Sequence, residues 1–296
     1  MGGIKRLLLT GSSGFIGRNL KEYWQNRKDV VLFSPSHSEL NLLNEKNVKS
    51  YFCLNNIDVV IHTANVNSTR NKDVSYAEQL DGNLRMFFNL VSCNSFFKKM
   101  YYFGSGAEYD KDNYIPSMTE SYFGKNIPKD AYGFSKYIMA QACFGQENIY
   151  DLRLFGVYGP YEEYERRFIS NAICRALKGL PITITQNVYF DYLWVGDLCK
   201  IMDWMIDNRP QKKHYNVCTG IRVDLLSLAE EVRENLRVNS PIIISKQGLK
   251  PEYTGDNVLL KKDCIGDFIF KSYKECIPLL ITYYKSIVDY VNESQL

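Results

Sequence analysis

A chain of 296 residues with 45% hydrophobic, 23% charged and 14% aromatic side chains has neither the low hydrophobicity of a disordered chain nor a membrane profile. Its 36 basic and 33 acidic residues leave a formal net charge of +3. The charges are intermixed, with no Lys/Arg run of five or more, which argues against nucleic acid or an anionic membrane as partner. The length holds one large α/β domain, or one domain with a smaller companion, and buries a full core.

The chain opens Met1-Gly2-Gly3-Ile4-Lys5-Arg6, and the apolar run that follows, Leu7-Leu8-Leu9, is too short for a secretory signal. No apolar run approaches the length of a spanning helix. Ile4 to Thr10 reads as a strand, and Gly14 to Gln25 as a helix with Ile16, Leu20 and Trp24 on one face. Val30 to Phe33 is a second strand, Val48 to Leu54 a helix and Asp58 to His62 a third strand. Asn83 to Cys93 reads as a helix, Met100 to Phe103 as a strand, Tyr132 to Phe144 as a helix and Ile149 to Phe155 as a strand. Strands alternating with helices predict an α/β fold: a doubly wound parallel sheet covered on both faces. After Pro160 the pieces shorten. Phe168 to Leu177, Leu198 to Ile206, Leu225 to Leu236 and Ile277 to Val291 read as helices, Pro181 to Thr185 and Ile242 to Ser245 as strands. We expect residues 1–160 to form a nucleotide-binding domain, to which later segments return. Residues 161–296 are expected to form mainly a smaller mixed α/β substrate lobe.

The eight cysteines lie far apart, with no C-x-x-C and no pairing with the three histidines, so no metal site is expected. Scattered cysteines without a signal segment read as small buried apolar residues in a thiol-reduced, cytoplasmic protein.

Thr10-Gly11-Ser12-Ser13-Gly14-Phe15-Ile16-Gly17 closes the first strand and opens the first helix. Gly11 permits a tight turn, Gly14 permits backbone to approach a pyrophosphate, and Gly17 permits close packing of helix on strand. The helix N-terminus adds unpaired N–H groups and partial positive charge. Three glycines are a weak signal alone, but a strand before and an amphipathic helix after point to a dinucleotide. The second strand ends Phe33-Ser34-Pro35-Ser36-His37, without the acid that bonds an adenine-ribose hydroxyl in NAD sites, and Arg18 follows the last glycine. NADP is therefore favoured, with NAD retained; the plainer reading makes Arg18 a solvated helix residue.

Tyr132 and Lys136 lie at i and i+4 on one helix face. A phenol titrates near ~10, and a neighbouring ammonium pulls that value toward the range useful for proton transfer. Such a pair on its own is a common surface coincidence in a chain with 22 tyrosines. Ser105, just past a strand's carboxyl end, can hold a carbonyl oxygen for the tyrosine, and with the glycine turn the coincidence loses force.

The glycine turn, Ser105 and Tyr132-x-x-x-Lys136, in this order, resemble the extended short-chain dehydrogenase/reductases, specifically their nucleotide-sugar epimerases, dehydratases and reductases. The resemblance covers essentially the whole chain and implies a Rossmann fold. Asp58 to Ala64 is similar to the family segment lining the cofactor, placing Thr63 and Ala64 there. Asn83 with Asn89-Leu90 resembles a helix motif whose asparagine supports the active site. Ser38 to Leu43 resembles the adenine-contacting segment of GDP-fucose synthases, which assigns Asn41 and Leu42 to the cofactor. Leu152 to Pro160 resembles an R-x-F-N-x-Y-G-P segment beside the nicotinamide, which assigns Phe155. Asp191, Val195 and Asp197 match part of an R-D-F-x-x-V-x-D motif.

By this resemblance Ser105, Tyr132 and Lys136 are catalytic, and Lys136 also holds the cofactor ribose. Gly11, Ser13, Gly14, Phe15, Ile16, Gly17, Arg18, Ser34, Asn41, Leu42, Thr63, Ala64, Asn83, Tyr132, Lys136 and Phe155 hold the cofactor. Ser105, Gly106, Tyr132 and Arg167 meet the substrate, a nucleotide-diphosphate sugar.

The departures narrow the reaction. The Asp-Glu pair that follows the catalytic Ser/Thr in sugar 4,6-dehydratases is Gly106-Ala107 here, and the cysteine of GDP-fucose synthase is Ala107. Glu108 is expected to point to the opposite face if the segment is extended. The asparagine beside the nicotinamide is Gly156, and the diphosphate-holding arginine is Phe190. Arg166, Arg167, Arg175 and Lys178 are the nearest basic replacements, or merely a solvated charged face. The expected activity is reduction of a keto group, at C4, on a nucleotide-linked deoxy sugar. A 4-epimerase with tightly bound cofactor is the first alternative, and a non-catalytic NADP-binding regulator the second. The resemblance also implies a homodimer through a four-helix bundle, with Phe87, Phe88, Met139 and Phe144 as apolar candidates.

Overall fold

The computed structural model describes residues 3–66 and 74–296, so Met1 and Gly2 of the opening stretch lie outside the described residues. In chain order the strands are β1 (Lys5–Thr10), β2 (Val30–Phe33), β3 (Val59–His62), β4 (Lys99–Ser105), β5 (Ile149–Leu154), β6 (Gly156–Tyr158), β7 (Ile182–Asn187), β8 (Tyr189–Trp194), β9 (His214–Val217), β10 (Arg222–Asp224) and β11 (Ile242–Leu249). The helices are α1 (Phe15–Trp24), α2 (Glu45–Leu54), α3 (Tyr76–Val91), α4 (Ala131–Phe144), α5 (Phe168–Leu177), α6 (Val195–Asp207), α7 (Leu225–Leu236), the single turn α8 (Val258–Leu260) and α9 (Tyr273–Ile287). The chain divides into two units: Met1–Asn113, Glu120–Leu154 and Asp203–Asn216 form the first; Tyr114–Thr119, Phe155–Met202 and Val217–Leu296 form the second.

The first unit is a Rossmann-like α/β fold on a six-stranded parallel sheet in the order β2-β1-β3-β4-β5-β9. Side chains alternate across a strand, so Leu8, Val60, Met100 and Tyr102 face one side. There they pack with Val48 and Phe52 of α2, Phe87 and Leu90 of α3, and Met139 and Cys143 of α4. Full burial of each such aliphatic or aromatic side chain contributes about 1.5–3 kcal/mol. Right-handed crossovers in this strand order send α1 to the opposite face. On that face the Tyr101 hydroxyl donates to the Met205 carbonyl, and Lys99 Nζ donates to the carbonyls of Ile206 (2.8 Å) and Asn208 (2.6 Å), a cation against the negative end of α6. Trp24 Nε1 of α1 donates to Asp203 of α6 (2.8 Å).

The second unit contains a three-stranded sheet, β10-β8-β6, and a parallel pair, β11-β7. Its core joins Ile169 and Ile173 of α5, Leu228 and Val232 of α7, and Ile277, Leu280 and Tyr284 of α9 to Ile182 and Ile184 of β7.

Helices α3 and α9 each begin earlier than periodicity predicts, at Tyr76 rather than Asn83 and at Tyr273 rather than Ile277. The cause is the same in both. Ser75 with Glu78, and Ser272 with Glu275, form reciprocal capping boxes that satisfy the first free N–H groups. Helix α9 then ends at Ile287 and gives way to a 3₁₀ turn over Val288–Tyr290, short of the expected Val291. Strands β6, β8, β9 and β10 are absent from the sequence reading. Two are only three residues long, β9 begins in a polar stretch, and the apolar run of β8 is broken by the buried Asp191. Cys53 is exposed and the other seven cysteines are buried, and among the described residues none forms a disulfide. Among the described residues no helix is long and apolar enough to cross a membrane, and no three His/Cys/Asp/Glu side chains cluster as metal ligands.

Candidate active site

Because β1, β3 and β4 run parallel as neighbours, their carboxyl ends lie along one edge of the sheet. That edge carries the glycine turn, the Thr63–Val66 segment and Ser105. Gly11 has φ +71°, and a Cβ on it would stand 2.6 Å from the backbone nitrogen of Ala64. A Cβ on Gly17 would stand 2.1 Å from the Gly11 carbonyl oxygen, backbone that cannot move aside. Both positions therefore require glycine. Gly14 is the N-cap of α1, and no side chain caps the helix there. The N–H groups of Phe15 and Ile16 thus open a helix start suited to a pyrophosphate, beside the exposed Ser13.

The Thr63–Val66 segment is tied on both sides. Thr63 Oγ1 donates to the Thr10 carbonyl (2.7 Å), and the Asn83 amide accepts from Val66 N (2.7 Å) and donates to Val66 O (3.0 Å). Asn83 thus fixes the backbone beside the glycine turn. Asn41 Oδ1 accepts from Leu43 N (3.0 Å), and the carbonyl of the buried Leu42 accepts from Asn89 (2.8 Å).

After β2, Ser34 is half-buried and its carbonyl accepts from Ser12 Oγ (3.5 Å). An acid does stand in this segment: Glu39 folds back and accepts from Ser36 N (2.7 Å) and Ser36 Oγ (2.8 Å), bonds that hold its carboxyl below the ordinary range. Its charge is thereby engaged with the turn itself. Arg18 is exposed and pairs with Glu22 (3.3 Å), a contact of the strength that solvent readily exchanges.

Residues Gly106–Tyr109 form a 3₁₀ turn, so the extended conformation expected for Glu108 is not what is found. Ser105 caps the turn: its Oγ accepts from Ala107 N (3.1 Å), and Glu108 returns to accept from Ser105 N (2.8 Å). Helix α4 begins with Asp130 accepting from Gly133 N (2.9 Å). A Cβ on Gly133 would stand 2.9 Å from the Ala107 carbonyl oxygen, so glycine there lets the first turn of α4 lie against the serine turn. The helix turn that carries Tyr132 therefore lies against the turn that Ser105 caps. Tyr132 is half-buried, and Lys136 Nζ lies 5.7 Å from its ring centre and 4.7 Å from that of Tyr102, donating to the Phe103 carbonyl (2.7 Å). Burial lowers the Lys136 ammonium to about 8, against the upward pull of Glu108 and Asp151. Burial and the Lys136 charge push His62 down to about 3, so it stays neutral, with Nδ1 2.8 Å from Thr10 Oγ1.

In the second unit a Cβ on Gly156 would stand 2.7 Å from the Asp191 carbonyl oxygen, so β6 meets β8 too closely for the asparagine of the motif. Phe190 packs among aromatics, 5.7 Å from Tyr253 and 5.4 Å from Tyr192, and Phe155 lies 5.0 Å from Tyr253. Asp191 is buried and accepts from Thr219 N, Thr219 Oγ1 and Gly220 N. Burial raises it to about 6 against those bonds. Of the four basic candidates, Arg175 donates to the carbonyls of Pro181 and Leu296, and Lys178 pairs with Glu293 (3.6 Å). Arg166 and Arg167 are exposed, Arg167 at the start of α5.

Sequence reasoning missed the partners of Glu108. Arg153 and Asp151, both fully buried on β5, complete an ion cluster in which Arg153 Nε donates to Glu108 (2.8 Å) and to Asp151 (2.8 Å). The signal was present: Ser105-x-x-Glu108 has the spacing of a capping box, as does Ser36-x-x-Glu39.

Residues 7–218 match the model of the NAD dependent epimerase/dehydratase family. The chain is 26% identical over 270 residues to a dTDP-D-glucose 4,6-dehydratase of Dictyostelium discoideum, covering 77% of this chain and 62% of that protein. The chain thus spans less than two thirds of that relative's length. A GDP-L-fucose synthetase from Naegleria fowleri has the same fold, with a TM-score of 0.84 at 13% identity over 99% of this chain and 96% of the other. So has a GDP-mannoheptose C4 reductase from Campylobacter jejuni with NADP bound, at a TM-score of 0.80 and 20% identity over 96% and 99%.

Proposed function

The chain belongs to the NAD dependent epimerase/dehydratase family, and on that footing we propose that it is an NADPH-dependent reductase of a keto group, at C4, on a nucleotide-linked deoxy sugar. One observation carries the choice among the family's reactions. The serine turn holds a single acid, Glu108, and it is wholly buried and bonded to Ser105 N and Arg153. It faces the protein rather than a sugar. With Gly106 and Ala107 completing the turn, no carboxylate or thiol there can remove water or move a proton at a carbon flanking the ketone, while Ser105, Tyr132 and Lys136 remain.

In this reading Gly11, Gly14 and Gly17 seat the dinucleotide, whose nicotinamide supplies the hydride. Ser105 Oγ holds the carbonyl oxygen. Tyr132 gives that oxygen its proton, and the Lys136 ammonium beside the ring stabilises the phenolate left behind. We assign dinucleotide binding to the glycine turn of the first unit and, by the resemblance, a cofactor contact to Phe155 and a substrate contact to the exposed Arg167. The test is a panel of nucleotide-linked 4-keto sugars with NADPH, followed by loss of nicotinamide absorbance. Turnover of at least one member supports the reading, and bound cofactor with no NADPH consumed refutes it.

NADPH is expected to bind more tightly than NADH. The C4 reductase with this fold holds NADP, and Glu39, the acid after β2, is engaged with Ser36. A fluorescence titration in which NADH binds at least as tightly contradicts this. We further propose a cytoplasmic homodimer through α3 and α4. Phe88 and Phe144 are 41% and 44% exposed and suit such a face, whereas Phe87 and Met139 are spent in the core of their own chain. Light scattering at micromolar concentration should give a dimer; a monomer overturns it.

A further inference from the structure

Beneath the serine turn, two carboxyl groups share a site. Gly104 lies between them: a Cβ there would stand 2.1 Å from Asp151 Oδ1 and 2.3 Å from Glu108 Oε1. Both acids are fully buried, and Arg153 Nε donates to the other oxygen of each, Asp151 Oδ2 and Glu108 Oε2, at 2.8 Å. Glu108 Oε1 also accepts from Ser105 N, whereas Asp151 Oδ1 is buried with no donor directed at it. Two full negative charges cannot persist so close with one arginine between them.

We propose that Glu108 and Asp151 act as one acid unit, a carboxyl and a carboxylate sharing a single proton above Gly104, whose one net negative charge keeps the Lys136 ammonium in place beside Tyr132. The proton supplies the donor that Asp151 Oδ1 lacks. Arg153 and Lys136 share that single negative charge, Arg153 through its direct bonds to both acids and Lys136 from the helix packed against the turn. Burial and the mutual repulsion of the two acids raise Glu108 well above the carboxylate range, and burial raises Asp151. The other titratable groups facing the pair are Tyr102, Tyr109 and Cys143, and burial holds each of them neutral. Glu108 is thus a positioning residue. It touches the Ser105 backbone and, with Asp151, governs the charge of Lys136.

The inference rests on the roles assigned to Lys136 and Tyr132, but its test does not use turnover, so the two fail separately. Glu108→Gln, Asp151→Asn and the double variant are compared with wild type. Infrared spectroscopy reads the protonated carboxyl, and carbon NMR of labelled lysine side chains reads the Lys136 titration. Each single amide mimics the protonated partner, so each should lose the carboxyl stretch seen in wild type while Lys136 titrates within about half a unit of its wild-type value. The double variant removes the charge and should lower the Lys136 titration by roughly one to three units. A downward shift of that size in either single variant means that the pair is dianionic and overturns the proposal. An unmoved Lys136 in the double variant overturns it as well. If the double variant does not fold, the single variants still decide.

Discussion

Tyr132→Phe should lower kcat on the true substrate by about two to four powers of ten while leaving the affinity for NADPH nearly unchanged. The substitution removes only the hydroxyl. The ring stays beside the Lys136 ammonium, and the helix start with Asp130 capping Gly133 does not depend on the phenol. Lys136→Met should harm both quantities, because in the proposed reaction Lys136 serves both the phenol and the cofactor ribose. Turnover should also fall on the alkaline side as Lys136 loses its proton near about 8. Steady-state kinetics beside a cofactor titration separate these effects. Wild-type turnover in Tyr132→Phe takes the proton donation away from this residue, whereas absence of turnover in the wild-type protein on every keto sugar tried favours the non-catalytic regulator.

The second large effect is on stability. Arg153→Met should destabilise the protein by about 3–5 kcal/mol, because it strips the counter-charge from a buried carboxylate that water cannot reach. Arg153 also packs 4.2 Å from the centre of the Phe123 ring and donates to the Tyr109 hydroxyl (3.0 Å), contacts that methionine recovers only in part. Exposed pairs behave differently. Asp81–Arg85 on α3 lies in solvent, and its loss should leave the denaturation midpoint where it is. Urea unfolding of the apoprotein checks both, and an unmoved midpoint for Arg153→Met contradicts the buried-cluster argument.

Much of the first unit was legible because its signals are local. A strand, the Gly11-Gly14-Gly17 turn and an amphipathic helix follow one another within 25 residues, and Gly11 and Gly17 each have a steric reason that the spacing anticipates. Phe168–Leu177 and Leu225–Leu236 were bounded correctly by their apolar periodicity. What escaped was set by partners distant in sequence or by capping. Strand β9 takes its place beside β5 through pairing across some sixty residues, and its polar start gives no period-2 signal. Arg153 reads as one residue of a motif, yet its environment depends on Glu108, 45 positions earlier, turning back under Ser105. The extended-strand assumption for Glu108 failed because Ser105-x-x-Glu108 closes a capping box, a competing local pattern that overrides alternation. The same spacing set the true starts of α3 and α9.

Hydride delivery to a sugar carbonyl is tested most directly with NADPH carrying deuterium at its transferable position and a nucleotide-linked 4-keto deoxy sugar. The expected result is one NADPH oxidised per product formed, with deuterium bound to the new C4 carbinol carbon in the product's NMR spectrum. Interconversion of two C4 alcohols by cofactor that stays on the protein, with no deuterium incorporated and no NADPH consumed, would contradict reduction and assign the same residues to epimerisation.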